Sequence, residues 1–334
     1  MSPTFKALAA LSLYLLCAQT FAQSRQADAA LCGSGQGAEA FQDCLRLADA
    51  DAIGSKKGED KRLPVDLNNP KDVHLDSVAL VGLSTEDWTK TGWGSGSLVS
   101  KCHVLTSHHA VFAHGKTEKG TIDPKKEEKM YLGKEVLVGL GQISGSPWKS
   151  DRIIGKIVGF DETIRNLDQS NNPYYDDGKD FAVIKLNKGK DGKYPGEKRK
   201  PFCLQSAFDK VHKNKNLRKL SLRGIGHPGD KYFTTPKGEI SLWQDIDCRI
   251  IGTDGSAFRT NCQSKGGMSG GPLTQYDEIE DCWTIYAMYS GGNTMTEGLM
   301  KRDETDLSVA NIATPISPEN RLFIEQIMKE NPCD

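Results

Sequence analysis

The chain has 334 residues, with 43 lysines and arginines set against 44 aspartates and glutamates, for a net charge of about −1. That balance gives no electrostatic case for nucleic acid or an anionic membrane as the main partner. The length allows two ordinary domains or one large one.

Residues 1–22 read as a secretory signal. Lys6 supplies a short positive start, Ala7 to Ala18 is an apolar core too short to span a bilayer, and Thr20-Phe21-Ala22 offers a cleavage site after Ala22. Leu16 precedes Cys17, which does not suit a lipoprotein signal. No second long apolar run follows, so the mature chain is expected off the membrane, secreted or periplasmic, and monomeric. Removing Cys17 from the 9 cysteines leaves an even set, Cys32, Cys44, Cys102, Cys203, Cys248, Cys262, Cys282 and Cys333. An even set in an exported chain suggests disulfides, with Cys32–Cys44 and Cys248–Cys262 the close-spaced candidates.

Residues 23–75 are polar and irregular after a short helical stretch, Glu39 to Ala50, and Gly54 to Arg62 has the composition of a linker. This segment is either a surface lead-in or a removable pro-segment. From Ser77 the pattern changes to short apolar runs separated by turn residues. Ser77–Leu83, Gly94–Val99, Cys102–Thr106, Glu135–Leu140, Ile153–Phe160 and Asp180–Leu186 read as strands, enough to close one barrel over residues 76–200. The lysine-rich stretches Gly115–Lys129 and Asn187–Lys200 read as solvated loops.

A second set, Lys219–Gly226, Lys231–Thr235, Glu239–Ile251, Ala257–Asn261, Pro272–Tyr276, Trp283–Ser290 and Leu307–Pro315, supplies another barrel over residues 201–334. Ser317-Pro318 then caps and opens a C-terminal helix with Leu322, Phe323, Ile327 and Met328 as its apolar face.

The chemistry gathers on three of these segments. Gly266-Gly267-Met268-Ser269-Gly270-Gly271-Pro272 sets a serine between glycines, a turn that presents a hydroxyl outward beside converging amides. The same run fits the nucleophile elbow of α/β-hydrolases. That fold needs its histidine after the serine, and the last histidine here is His227. Upstream, Val104-Leu105-Thr106-Ser107-His108-His109 reads as a strand ending in histidines, and Asp180 opens the buried strand Phe181–Leu186. The order is His, Asp, Ser.

With those residues in view the chain resembles the trypsin/chymotrypsin-type serine proteases, on their bacterial, glutamyl-endopeptidase-like side. "LTSHHAV" is similar to the family's L-T-A-A-H, "DFAVIKL" to its D-I-A-L-L-K-L and "GMSGGPL" to its G-D-S-G-G-P. The resemblance spans roughly residues 75–330. It implies an all-β fold of two six-stranded antiparallel barrels with a C-terminal helix, and a serine endopeptidase that needs no cofactor and takes a protein or peptide substrate.

The roles it implies are Ser269 as nucleophile, His109 as base and Asp180 as the carboxylate that orients it, with the amides of Gly267 and Ser269 forming the oxyanion hole. Asp176 and Asp177 are alternatives to Asp180, and His108 is the weaker histidine. Gln263 and Ser264 fall at the base of the primary pocket, and Ser290, Gly291 and Gly292 along its wall. A neutral Gln263 argues against a strict preference for Arg or Lys. Glutamyl-specific relatives use a histidine near this pocket, and this chain has none there.

Three departures stand out. Ala110 replaces the cysteine that usually follows the histidine. Gly291 replaces a common tryptophan. Met268 replaces the aspartate that, in trypsin, pairs with the amine released by activation. No metal motif is present; Asp and Asn residues between Asp161 and Asp177 read as a solvated loop rather than a calcium site. The competing reading is a catalytically inactive trypsin-fold binding protein.

Overall fold

A computed structural model describes residues 59–69, 72–82, 93–111, 133–141, 151–161, 178–206, 220–234, 240–292, 298–299, 301, 303 and 306–334. The helical stretch 39–50, the Cys32–Cys44 pair, residues 176–177 and the loop 115–129 lie outside them. A two-residue strand, β1 (Leu63–Pro64), precedes the first barrel. That barrel comprises β2 (Val78–Gly82), β3 (Trp93–Leu98), β4 (His103–Thr106), β5 (Glu135–Leu140), β6 (Asp151–Phe160) and β7 (Ala182–Leu186). It closes in the order β2-β3-β4-β7-β6-β5.

Its strands read as near-continuous apolar runs because both of their faces are buried. Val104, Val136, Val138, Ile157 and Ile184 fill the barrel interior. Their neighbours Leu105, Val183 and Phe181 point outward into a second cluster shared with Ile225, Ile285 and Met288. The period-2 alternation of a strand divides each run between two cores rather than between core and water.

A two-residue strand β8 (Cys203–Leu204) leads to the second barrel, built of β9 (Ser221–Gly226), β10 (Trp243–Asp254), β11 (Ala257–Thr260), β12 (Pro272–Asp277), β13 (Cys282–Gly291) and β14 (Asn311–Pro315). The order β9-β10-β11-β14-β13-β12 closes through β12 pairing with β9. Strands β1 and β8 add to it, β1 antiparallel to β10 and β8 parallel to β13. Closure leaves no long unpaired edge in either barrel. Phe258, Leu273, Tyr286 and Tyr289 form the second interior.

Among the described residues, three disulfides staple this frame. Cys248–Cys262 ties β10 to the end of β11, as its spacing suggests. Cys102–Cys333 fastens the C-terminal tail to the β3–β4 turn, and Cys203–Cys282 joins β8 to β13. Among the described residues no helix is long and apolar enough to cross a membrane.

The short helix α1 (His108–Val111) follows β4. Two elements differ from the sequence reading. Residues 229–234 form a short helix, α2 (Gly229–Thr234), not a strand. Its first amide, that of Gly229, donates to the Gly266 carbonyl at 2.6 Å, so a tertiary contact overrides the β-prone Tyr232-Phe233-Thr234. The C-terminal helix α3 (Pro318–Glu330) starts as expected, with the Ser317 hydroxyl accepting from the Asn320 amide. The face it buries is Asn320, Ile324 and Ile327, while Leu322 is 67 % exposed. The i, i+4, i+7 spacing of 320, 324 and 327 defines one stripe, and Leu322 lies off it.

Candidate active site

Strand pairing assembles the first part of the site. β4 and β7 run antiparallel with Thr106 opposite Ala182. His109 lies three residues beyond Thr106 and Asp180 two residues before Ala182, so both emerge at the same end of the same strand pair. The Asp180 carboxylate, wholly buried, accepts from the His109 backbone amide at 3.0 Å and from Nδ1–H of the ring at 2.7 Å. The hydroxyl of Ser290 donates to the same carboxylate at 2.5 Å. With the proton assigned to Nδ1 by this network, Nε2 is left as an acceptor. The adjacent His108 turns the other way, buried edge-on against Phe160 with ring centres 5.1 Å apart.

Burial alone would lower the His109 imidazole, but the charge and hydrogen bond of Asp180 outweigh it and hold the ring above its ordinary 6.5. Burial would likewise raise Asp180, and His109 and Ser290 keep it below the usual carboxylate range. The His109 ring should therefore titrate above pH 6.5 in an NMR pH series. Asp180→Asn should bring the midpoint down, because burial then acts without the opposing charge. A raised histidine pKa stabilises the fold fully below the unfolded value of about 6.5, and that contribution is lost as pH rises through the folded value.

The serine turn comes from the second barrel and is stitched to the first. Gly267 and Gly270 flank Met268-Ser269 at φ +90° and +82°. A Cβ on Gly270 would stand 2.2 Å from the Ser95 carbonyl and 2.6 Å from the Ser107 nitrogen, so side chain and backbone alike demand glycine there. The Gly270 amide donates to the Tyr289 carbonyl at 2.7 Å, and the Ser269 carbonyl accepts from the Ser95 amide at 2.7 Å.

Gly94 lies between the two halves of the site. A Cβ on it would meet the Ala110 methyl at 2.5 Å and the Ser269 carbonyl at 3.1 Å. The residue after His109 and the candidate nucleophile thus flank one glycine, and no larger residue would let them approach. Among the described residues, the amides of Gly267 and Ser269 donate to no acceptor. A turn with two idle amides beside its serine offers what a developing oxyanion needs.

The candidate pocket residues are distributed differently from one another. Gln263 and Ser264 are buried, Gly291 is half-buried and Gly292 exposed. The Ser264 amide donates to the Gly298 carbonyl at 2.8 Å. Ser290 is committed to Asp180, as above. The Gln263 side chain is committed to the lead-in: its Oε1 accepts from the Lys61 amide at 2.6 Å and its Nε2 donates to the Glu59 carbonyl at 2.5 Å.

Arg62 and Asp230, which belong to no motif in the sequence, meet behind the serine turn. A charged run of linker composition gives no local signal for such a contact. Among the described residues, Cys102, His103 and Cys333 are the one group within metal-ligand reach. Both sulfurs are already spent in a disulfide, so the trio is not a metal centre in this state.

No family model matches the chain, and no curated protein matches it. Among solved structures, it is similar to a Glu endopeptidase determined in complex with MPD. The TM-score is 0.55 at 16 % identity, covering 81 % of this chain and 97 % of the other. At that identity the likeness speaks for the fold, which is chymotrypsin-like: two closed six-stranded antiparallel barrels and a C-terminal helix.

Proposed function

We propose that the chain is an exported serine endopeptidase. Ser269 attacks the scissile carbonyl, and His109 Nε2 takes the hydroxyl proton and later gives it to the leaving amine. Asp180 holds the ring and stabilises the imidazolium. The amides of Gly267 and Ser269 receive the oxyanion of the tetrahedral intermediate. Water, activated by the same histidine, then hydrolyses the acyl-enzyme and returns Ser269 to its starting state.

The observation that carries this reading is the His109–Asp180 pair, 2.7 Å apart with the ring proton on Nδ1, set across Gly94 from the serine turn. The chymotrypsin-like fold supports a peptide substrate, and the apolar leader with the three disulfides supports export. Ser264, Gly291 and Gly292 are the residues we assign to the substrate, together with the backbone of Gln263 and Ser290. The Gln263 side chain is uncharged and bound to the lead-in, so the floor it helps to build is neutral.

A fluorophosphonate probe tests the assignment. The folded protein should gain one adduct, mapped by mass spectrometry to the peptide holding Ser269, and purified protein should cut a peptide library. Folded protein that takes no adduct and leaves the library whole would return the chain to the inactive binding-protein reading.

A further inference from the structure

Behind the serine turn lies a half-buried charged cluster that the proposed chemistry does not use. Its centre is Arg62, whose side chain is wholly enclosed. Nε and Nη2 donate to Asp60 at 2.9 and 3.0 Å, and Nη1 and Nη2 donate to Asp230 at 3.1 and 2.5 Å. The Lys231 ammonium reaches Asp60 at 2.6 Å and sits 4.5 Å above the Trp243 ring. Two cations and two carboxylates thus balance, and the five guanidinium donors are used in the planar fork that arginine offers and lysine does not. Burial opposes the charge on both central groups, yet Arg62 is held above its usual range and Asp60 well below its own by each other and by Asp230 and Lys231.

This cluster touches the serine turn at separate points. Nη1 of Arg62 lies 3.8 Å from Sδ of Met268, the residue immediately before Ser269 and itself fully buried. α2, which carries Asp230, binds the Gly266 carbonyl through the Gly229 amide. The Gln263 side chain takes the amide of Lys61 and the carbonyl of Glu59 as a neighbouring strand would. Downstream, β1 pairs with Trp243 and Gln244, and buried Val65 joins the shared core, so the segment is anchored on both sides of Arg62.

We propose that residues 59–62 are a strap that holds the serine turn in its working shape, with Arg62 a positioning residue that acts through Met268, so that the mature protein must keep this segment. The uncut chain supplies the cation itself, and methionine at 268 fits because the charge is neutralised by Asp60 and Asp230 rather than by the turn. N-terminal trimming up to residue 58 is compatible with activity; trimming past Arg62 switches the protein off. The inference rests on the hydrolase reading for its kinetic consequence, and on geometry alone for its effect on the turn.

The test compares the full chain with Arg62→Ala and with the charge-reduced Arg62→Met/Asp230→Asn, which guards against an unpaired, half-buried aspartate unfolding the single variant. Two quantities are read: kcat and KM per probe-titrated site, and backbone hydrogen exchange in the peptide covering 263–271. A displaced turn should lower kcat about 10- to 100-fold with little change in KM. It should also speed exchange in that peptide selectively, and ethylguanidinium should restore part of the kcat of Arg62→Ala. A purely structural role predicts instead fewer titratable sites, each with the parent kcat, and that result overturns the strap. If the parent protein neither takes the probe nor cuts peptide, the hydrolase reading falls by itself; exchange still decides the strap, and unchanged protection at 263–271 overturns it.

Discussion

Ser269→Ala should lower kcat on a peptide substrate by about 10⁶, on the scale of other Ser-His-Asp hydrolases, and Asp180→Asn by about 10⁴. The two losses differ in kind. Without the Ser269 hydroxyl there is no acyl-enzyme, and only the idle amides and substrate binding remain to accelerate attack by water. Asparagine at 180 fills the same space and can still accept from the His109 amide, but it carries no charge to balance the imidazolium. Its NH₂ group also competes for Nδ1, which favours the wrong tautomer of the ring. Ser290→Ala should cost less than Asp180→Asn, because the carboxylate keeps both of its bonds to His109 at 3.0 and 2.7 Å. The groups act as a unit, so Ser269→Ala/His109→Ala should be no slower than Ser269→Ala alone. Steady-state kinetics at matched protein concentration, with near-UV dichroism confirming the fold of each variant, checks the series. Multiplicative losses in the double variant would argue that His109 and Ser269 do not serve one step.

The elements that the sequence announces are those whose cause is local. Apolar alternation between turn residues marks the strands, since each run must bury one or two faces whatever lies opposite. A serine before a proline marks the start of α3 because both residues act within one turn. The His109 and Asp180 segments are legible for a similar reason: each sits at the end of a strand run, and strand pairing then carries the two ends together. What escapes the sequence is contact without local cause. Arg62 meets Asp230 and Met268 across separations of 168 and 206 residues. The same distance hides the Cys102–Cys333 bridge, at a separation of 231, whereas Cys248–Cys262, at 14, is visible. Ser290 and Gln263 are intermediate cases. Their positions along the chain suggest a pocket, but only the packed structure reveals that one hydroxyl is used on Asp180 and one amide on the lead-in.

The fold should lose stability steeply as pH falls from about 6.5 toward 3, and His227 should account for a large part of that loss. His227 is wholly buried, and burial alone drives its pKa down to about 3. The Ser95 hydroxyl donates to the Gly267 carbonyl at 2.8 Å and so accepts from the His227 amide at 2.9 Å and from its ring Nδ1 at 3.3 Å. That arrangement puts the proton on Nδ1. Nε2 has no partner among the described residues, so protonating it would place an unshared charge in the core. The sign follows. The unfolded chain binds this proton near pH 6.5 and the native chain only near 3, so the stabilisation is complete above pH 6.5 and drains away as pH falls through that window. With the shift fully expressed, the loss is on the order of 5 kcal/mol. Half-buried His74, held down to about 4 by burial and by Arg223, acts in the same direction with smaller weight. Asp60 and Asp180, both depressed, add their losses only as pH falls through the carboxylate range. His227→Asn should keep a polar side chain near Ser95 without a titrating group. It should lower stability at neutral pH and flatten the dependence of ΔG on pH between 6.5 and 4, as measured by urea unfolding at a series of pH values. An unchanged slope in that variant would mean that the acid sensitivity arises elsewhere. Because Ser95 links this imidazole to the carbonyl of Gly267, the change should also be felt at the serine turn: after brief acid exposure, probe labelling of Ser269 should fall before the near-UV signal of the barrels does.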